Sequence, residues 1–202
     1  MKLASHNSWS YAKPKYWYMY PFRFMVKCQK HSIPNQWNAG VRMFDLRLFF
    51  DKKNNLLVRH GIFSFDISPE KLFADLGYLD DRGKKEPVYV RLILEQNHHV
   101  KSQEYQEQKF ISYCEMITKT FKNIYFLEGR RKYDWKQLYN TGFDTPHVTH
   151  CYSSTTSMFG SNKDKWYAKI DDFWPWLYAQ LRNSKNYAEN ISKDTFLMLD
   201  FI

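Results

Sequence analysis

The sequence predicts a single α/β domain over residues 1–202, built as a small or irregular (β/α)8 barrel. Two observations carry this. Several segments alternate apolar and charged residues with period two, as half-buried strands do, and stretches with helical start signals lie between them. In addition, 44% hydrophobic and 19% aromatic residues with only 7 Gly and 7 Pro supply a packed core and exclude disordered or collagenous chains. Charged faces on several strands suit a barrel, whose functional groups gather at the carboxyl ends of the strands; an open doubly wound sheet is the alternative.

Taken in order, the first strand is expected at 1–5. The next, 41–50, places Phe44, Leu46, Leu48 and Phe50 on one face, with Asp45 and Arg47 on the other. A short strand follows at 55–60. A helix opens after Ser68 with Pro69 and runs to about Leu76, and 80–86 reads as a solvated loop. The strand 88–95 repeats the earlier design: Val88, Val90, Leu92 and Leu94 share a face, and Arg91 and Glu95 lie opposite. A helix over 102–121 leads to strands at 124–128 and 147–152. A helix from Ile170 to about Arg182 precedes the last strand, 195–201, where Asp200 sits opposite Leu197, Leu199 and Phe201.

The charge balance is strongly basic: 30 Lys+Arg against 21 Asp+Glu gives +9, so anionic partners are favoured, whether phosphate, acidic lipid or nucleic acid. Three cysteines, Cys28, Cys114 and Cys151, form no CxxC pair, which argues against a disulfide framework or a zinc knuckle. With no leader-like apolar stretch and no run of about 18 apolar residues, the chain as written is expected in the cytoplasm.

Chemistry concentrates at strand ends. Ser5-His6-Asn7-Ser8 closes the first strand, Arg59-His60-Gly61 closes another, and the strand bearing Asp45 and Arg47 lies between them. Brought to one mouth, two imidazoles, a carboxylate and a guanidinium are the inventory for general acid–base attack on a phosphodiester. One His accepts a proton from the attacking hydroxyl and the other donates one to the leaving oxygen. A carboxylate beside each imidazole would fix its tautomer, which makes Asp45 and Asp200 the expected partners.

These segments, with 36–47 and 87–95, resemble the X domain of phosphatidylinositol-specific phospholipase C. The likeness covers the first half of the chain and its last strand. The resemblance implies an imperfect TIM-like barrel and a catalytic set of His6 as general base supported by Asp200, His60 as general acid held by Asp45, and Arg47. Arg47 and Glu95 are expected to face the substrate. It further implies a phospholipid or other phosphodiester substrate and a cyclic phosphate as first product. Asn7, Asp45 and Glu95 match three ligands of the calcium-dependent members. Arg47 stands where those members carry another acid, so no cofactor is expected, and calcium is the alternative. A metal-dependent glycerophosphodiester phosphodiesterase-like enzyme and a catalytically silent lipid- or nucleic-acid-binding barrel are the competing readings.

The aromatic and cationic run 9–23 suits the headgroup layer of an anionic membrane, or a helix covering the barrel. Nucleic-acid binding would explain its rings and cations but not the paired His, Asp and Arg. Arg130, Arg131 and Tyr152 follow predicted strand ends but read as surface charge and a packed ring. His98, His99, His147 and His150 lack the spacing of a metal site. Oligomeric state and headgroup preference are not encoded in any of these patterns.

Overall fold

The computed structural model describes residues 2–95, 104–128, 147–150, 174–189 and 195–202. The strands are β1 (Lys2–Ser5), β2 (Val41–Phe50), β3 (Leu56–His60), β4 (Phe63–Phe65), β5 (Val88–Leu94), β6 (Ile124–Glu128), β7 (His147–His150) and β8 (Thr195–Leu199). The α-helices are α1 (Ile33–Asn38), α2 (Pro69–Gly83), α3 (Glu104–Thr120) and α4 (Pro175–Glu189), and Ser8–Tyr11 and Trp17–Met25 form 3-10 turns.

All these strands join one sheet, in which the parallel run is β7-β8-β1-β2-β5-β6. β3 and β4 are a hairpin added antiparallel to the outgoing end of β2. The sheet is a curled half-barrel within the expected α/β class, and among the described residues no pairing joins β6 to β7 to complete the small or irregular (β/α)8 barrel of the sequence reading.

The period-two pattern places the strands as the sequence predicts. Phe44, Leu46, Leu48, Val90, Leu92 and Leu94 pack against Leu72, Leu76 and Leu79 of α2 and Phe110, Cys114 and Ile117 of α3. Each fully buried Leu or Phe contributes roughly 1.5–3 kcal/mol of transfer free energy. The opposite, concave face has two layers. One layer in from the polar rim, Ala4, Met43, Leu127, Phe196 and Met198 form an apolar floor against Tyr89. One step of two residues further along, the same strands carry His6, Asp45, Arg91 and Asp200.

The structure corrects some of the expectations. α2 continues past Leu76 to Gly83, because Leu79 extends the apolar stripe and Asp80 accepts hydrogen bonds from Asn123 N–H (2.8 Å) and its side-chain amide (3.0 Å). The first half of 80–86 is therefore helix, not loop. Gly83 ends it where any Cβ would collide with the Asn123 carbonyl oxygen. The Ser68 cap and Pro69 start are as expected, with Ser68 Oγ accepting from Lys71 N–H at 3.2 Å. α4 starts at Pro175; the earlier portion predicted from 170, and the end of the strand predicted to 152, lie outside the described residues. Strand β4, only three residues long, has no counterpart in the predicted elements. No helix among the described residues is long and apolar enough to cross a membrane.

Candidate active site

The polar layer of the concave face is built from the outgoing ends of β1, β2, β5 and β8. His6 follows β1 directly, and its backbone N–H donates to Leu199 O of β8 (3.0 Å), which brings the ring beside Asp200. His6 Nδ1 lies 2.7 Å from Asp200 Oδ1, and its Nε2 lies 2.7 Å from Arg47 Nη2. A guanidinium can only donate, so Nε2 accepts and the ring proton resides on Nδ1, donated to Asp200. His6 is thereby held as the neutral tautomer whose Nε2 lone pair faces the arginine.

Arg47 is the hub. Its Nε donates to Asp45 Oδ2 at 3.0 Å and its Nη1 lies 3.6 Å from Glu95 Oε2. Asp45, wholly buried, also receives Asn7 N–H on Oδ2 (3.0 Å) and faces Arg91 Nε at 3.2 Å. That ion pair follows from the sheet register, which sets Asp45 opposite Arg91 on the parallel neighbour. Burial acts to raise the Asp45 pKa, but Arg47 and Arg91 outweigh it and hold the carboxyl at about 2.

His60, the last residue of β3, comes edge-on to His6 with ring centroids 5.6 Å apart. Its Nδ1 donates to the Val26 carbonyl (3.0 Å), which leaves Nε2 as the nitrogen that exchanges a proton. Burial and the Arg47 guanidinium push its pKa below the ordinary imidazole value; Glu95, the Val26 carbonyl and Asp45 oppose them. Asp45 does not hold His60, contrary to expectation. Its oxygens are committed to Arg47, Arg91 and Asn7, and the backbone of Val26 takes the orienting role instead.

The next residue, Gly61, adopts φ +57, a conformation glycine takes without penalty, and its N–H donates to Glu95 Oε1 at 2.9 Å. Glu95 thus ties the end of β5 to the turn carrying His60, while its other oxygen faces Arg47. Asn7 is also at the site: it turns the chain after His6 with φ 43, and its side-chain amide is fully buried without a hydrogen-bond partner among the described residues.

The structure therefore gathers the residues of the catalytic and alternative calcium sets expected from the sequence: His6, Asn7, Asp45, Arg47, His60, Glu95 and Asp200. It adds others that the sequence does not mark. Ser8 Oγ accepts the Asp45 N–H (2.7 Å), Ser10 Oγ accepts the N–H groups of Cys28 and Gln29, and Gln29 Nε2 bridges His6 O (3.1 Å) and Leu199 O (3.0 Å). Cys28 Sγ lies 3.7 Å from His60 Nδ1. The phase of β5, with Arg91 on the face of Glu95, is the one available signal for Arg91. Nothing in the local pattern around Cys28 or Gln29 points to them. Arg130, Arg131, Tyr152, His98 and His99 lie outside the described residues, as do the side chains of His147 and His150.

No family model matches the sequence, and no curated protein matches it. Among solved structures the fold is similar to that of a phosphatidylinositol-specific phospholipase C from Listeria monocytogenes, with TM-score 0.62 at 17% identity over 100% of this chain and 88% of that one. It is similar also to the enzyme of the same description from Staphylococcus aureus, with TM-score 0.61 at 15% identity over 98% of this chain and 85% of that one.

Proposed function

We propose that this chain is a phosphodiesterase of the phosphatidylinositol-specific phospholipase C type, cleaving its substrate by paired imidazole acid–base catalysis through a cyclic phosphate. The observation that carries the reading is His6 fixed between Asp200 and Arg47, with the His60 ring edge-on 5.6 Å away. The similarity of fold to enzymes of that name supports the substrate class.

In this mechanism a hydroxyl of the substrate attacks its own phosphorus. Arg47 turns from His6 Nε2 to the phosphoryl oxygens, which frees the lone pair to take the hydroxyl proton. Asp200 stabilises the imidazolium through Nδ1. The His60 Nε2–H then protonates the leaving oxygen. That proton must already be on the ring, and the incoming phosphodiester anion helps to keep it there, since its negative charge counters the Arg47 field that disfavours protonated His60. Asp45, with Arg91 behind it, positions Arg47 rather than His60.

Arg47 also supports metal independence. A calcium ion would need the oxygens of Asp45 and Glu95, and both are paired with this guanidinium, which already places positive charge between them. That counts against the metal-dependent alternative.

The lipid interface is assigned to the 3-10 turn Trp17–Met25. Trp17 is 83% exposed, and Tyr18, Tyr20, Phe22 and Phe24 are exposed beside it; Phe24 meets Trp174, which packs on the exposed Trp176. The turn is thus neither a buried covering helix nor a polar loop. Such a ridge of rings suits the headgroup boundary.

Phosphatidylinositol vesicles treated with the protein in excess chelator provide the test, read by phosphorus NMR. A cyclic inositol phosphate should form. Release of a non-cyclic product from the start, or activity that returns only with calcium, would overturn the mechanism.

A further inference from the structure

Cys28 has no part in the reaction above, yet its thiol stands at the site. The Cys28 Sγ and one ring nitrogen each of His6 and His60 all lie within 4.8 Å of one another. We infer that these three side chains form a binding site for one thiophilic divalent cation of the zinc class, and that its occupancy blocks both imidazoles. The inhibition, though not the binding, rests on the function proposed above.

The edge between Cys28 and His60 is close to what such an ion requires. Zinc–sulfur and zinc–nitrogen bonds in a tetrahedron set an S–N edge of about 3.5 Å, and Cys28 Sγ is 3.7 Å from His60 Nδ1. Histidine ligands of zinc usually give their second ring nitrogen to a carboxylate. His6 already has this arrangement, with Nδ1 on Asp200 and Nε2 turned the other way. The donors are fixed by backbone bonds on separate parts of the chain. Cys28 N–H donates to Ser10 Oγ (2.9 Å) and its carbonyl accepts Phe201 N–H (2.7 Å), while His6 N–H is tied to Leu199 O (3.0 Å). Two imidazoles and a thiolate select zinc, cobalt or cadmium over calcium and magnesium, which take oxygen donors.

Binding involves no electron transfer. The Cys28 thiol loses its proton to solvent, and the His60 ring proton passes from Nδ1 to Nε2, giving up the Val26 carbonyl. His6 Nε2 exchanges the Arg47 N–H for the metal. The fourth position remains for water. Arg47 stays paired with Asp45 and Glu95, and with Asp200 these carboxylates balance the added charge.

Cobalt(II) titration of the full chain, followed by thiolate-to-cobalt charge-transfer absorption and by equilibrium dialysis with zinc, tests binding without any substrate. One equivalent should bind with a thiolate band. In Cys28→Ser the band should vanish and zinc affinity should fall by more than about 100-fold, beyond what loss of an orienting neighbour costs. Micromolar zinc should inhibit turnover of the parent and leave that of Cys28→Ser at its own metal-free rate. If Cys28→Ser does not fold, X-ray absorption at the zinc edge of the loaded parent decides: one sulfur and two imidazole nitrogens should surround the ion. Absence of a thiolate band, zinc binding retained in Cys28→Ser, or a zinc coordination shell without sulfur would each overturn the site. Thiolate-dependent binding in a protein that never turns over the lipid would leave the site standing and remove only the proposed function.

Discussion

The floor and the rim of the concave face are carried by the same strands, two residues apart, and they are built to opposite rules. In the floor, Ala4, Met43, Phe196 and Met198 cluster with one another and with Leu127 and Tyr89. In the rim, His6, Asp45, Arg47 and Asp200 are equally enclosed but spend their polar atoms on one another. Burial is therefore no guide to role here. The floor stabilises the fold by excluding water, whereas the rim uses low polarity to sharpen electrostatic contacts, and each member depends on the next.

Substitutions should separate the two layers. His6→Ala and His60→Ala should each lower kcat by about 10²–10⁴-fold while leaving the melting temperature within a few degrees. Met43→Ala should do the reverse, costing about 2–5 kcal/mol in urea unfolding with near-parental turnover per folded molecule. Parental activity in both histidine variants would sink their pairing.

A smaller loss is expected from Arg47→Lys. A point charge cannot reach His6, Asp45 and a phosphoryl group together, so kcat should fall by about 10²–10³-fold with little change in KM. A defect confined to KM would reassign Arg47 to plain substrate binding.

Asp45 is the residue where the two rules meet. A carboxyl held at about 2 rather than its ordinary 3.8 contributes stability that is present above the ordinary value and lost as pH falls through the folded one. That difference amounts to about 2 kcal/mol. Urea denaturation should thus show a gap between the parent and Asp45→Asn at pH 7 that narrows towards pH 2. The gap for Met43→Ala should not follow pH in that window, and a pH-independent Asp45→Asn gap would refute the linkage.

The smallest effect concerns the pH profile of kcat/KM. The proposed mechanism needs His6 neutral and His60 protonated, so the curve should be a bell, and the lowered His60 pKa sets its alkaline limb below 6.5. Arg47→Met, measured on its residual activity, should move that limb upward because one of the two causes of the lowering is gone. An unmoved limb would assign it to another group.

How far the sequence reveals this arrangement differs between the layers as well. Period-two alternation in β2 and β5 is legible because a strand with one face on helices and one on a mixed core leaves a clean pattern. The strand-end positions of His6 and His60 are legible for the same reason. The partner of His60 is not, since Val26 contributes a backbone carbonyl that any residue type would supply. Nor are Gln29 and Ser10, whose bonds join distant segments of irregular chain. The extent of α2 is hidden because Asp80 looks like loop solvation in one dimension and is a bond to Asn123 in three.

The contact between His6 and Asp200 spans 194 residues, and its importance extends to the history of each molecule. Translation proceeds at about 5–20 residues per second, so the imidazole of a nascent chain waits on the order of ten to forty seconds for its carboxylate. During that time the strand it follows also lacks its β8 neighbour. A chain interrupted anywhere between the arginine and residue 200 would carry His6 and Arg47 and still have no oriented base. Acid–base chemistry at this site is thereby deferred until synthesis has passed its third carboxylate, Asp200.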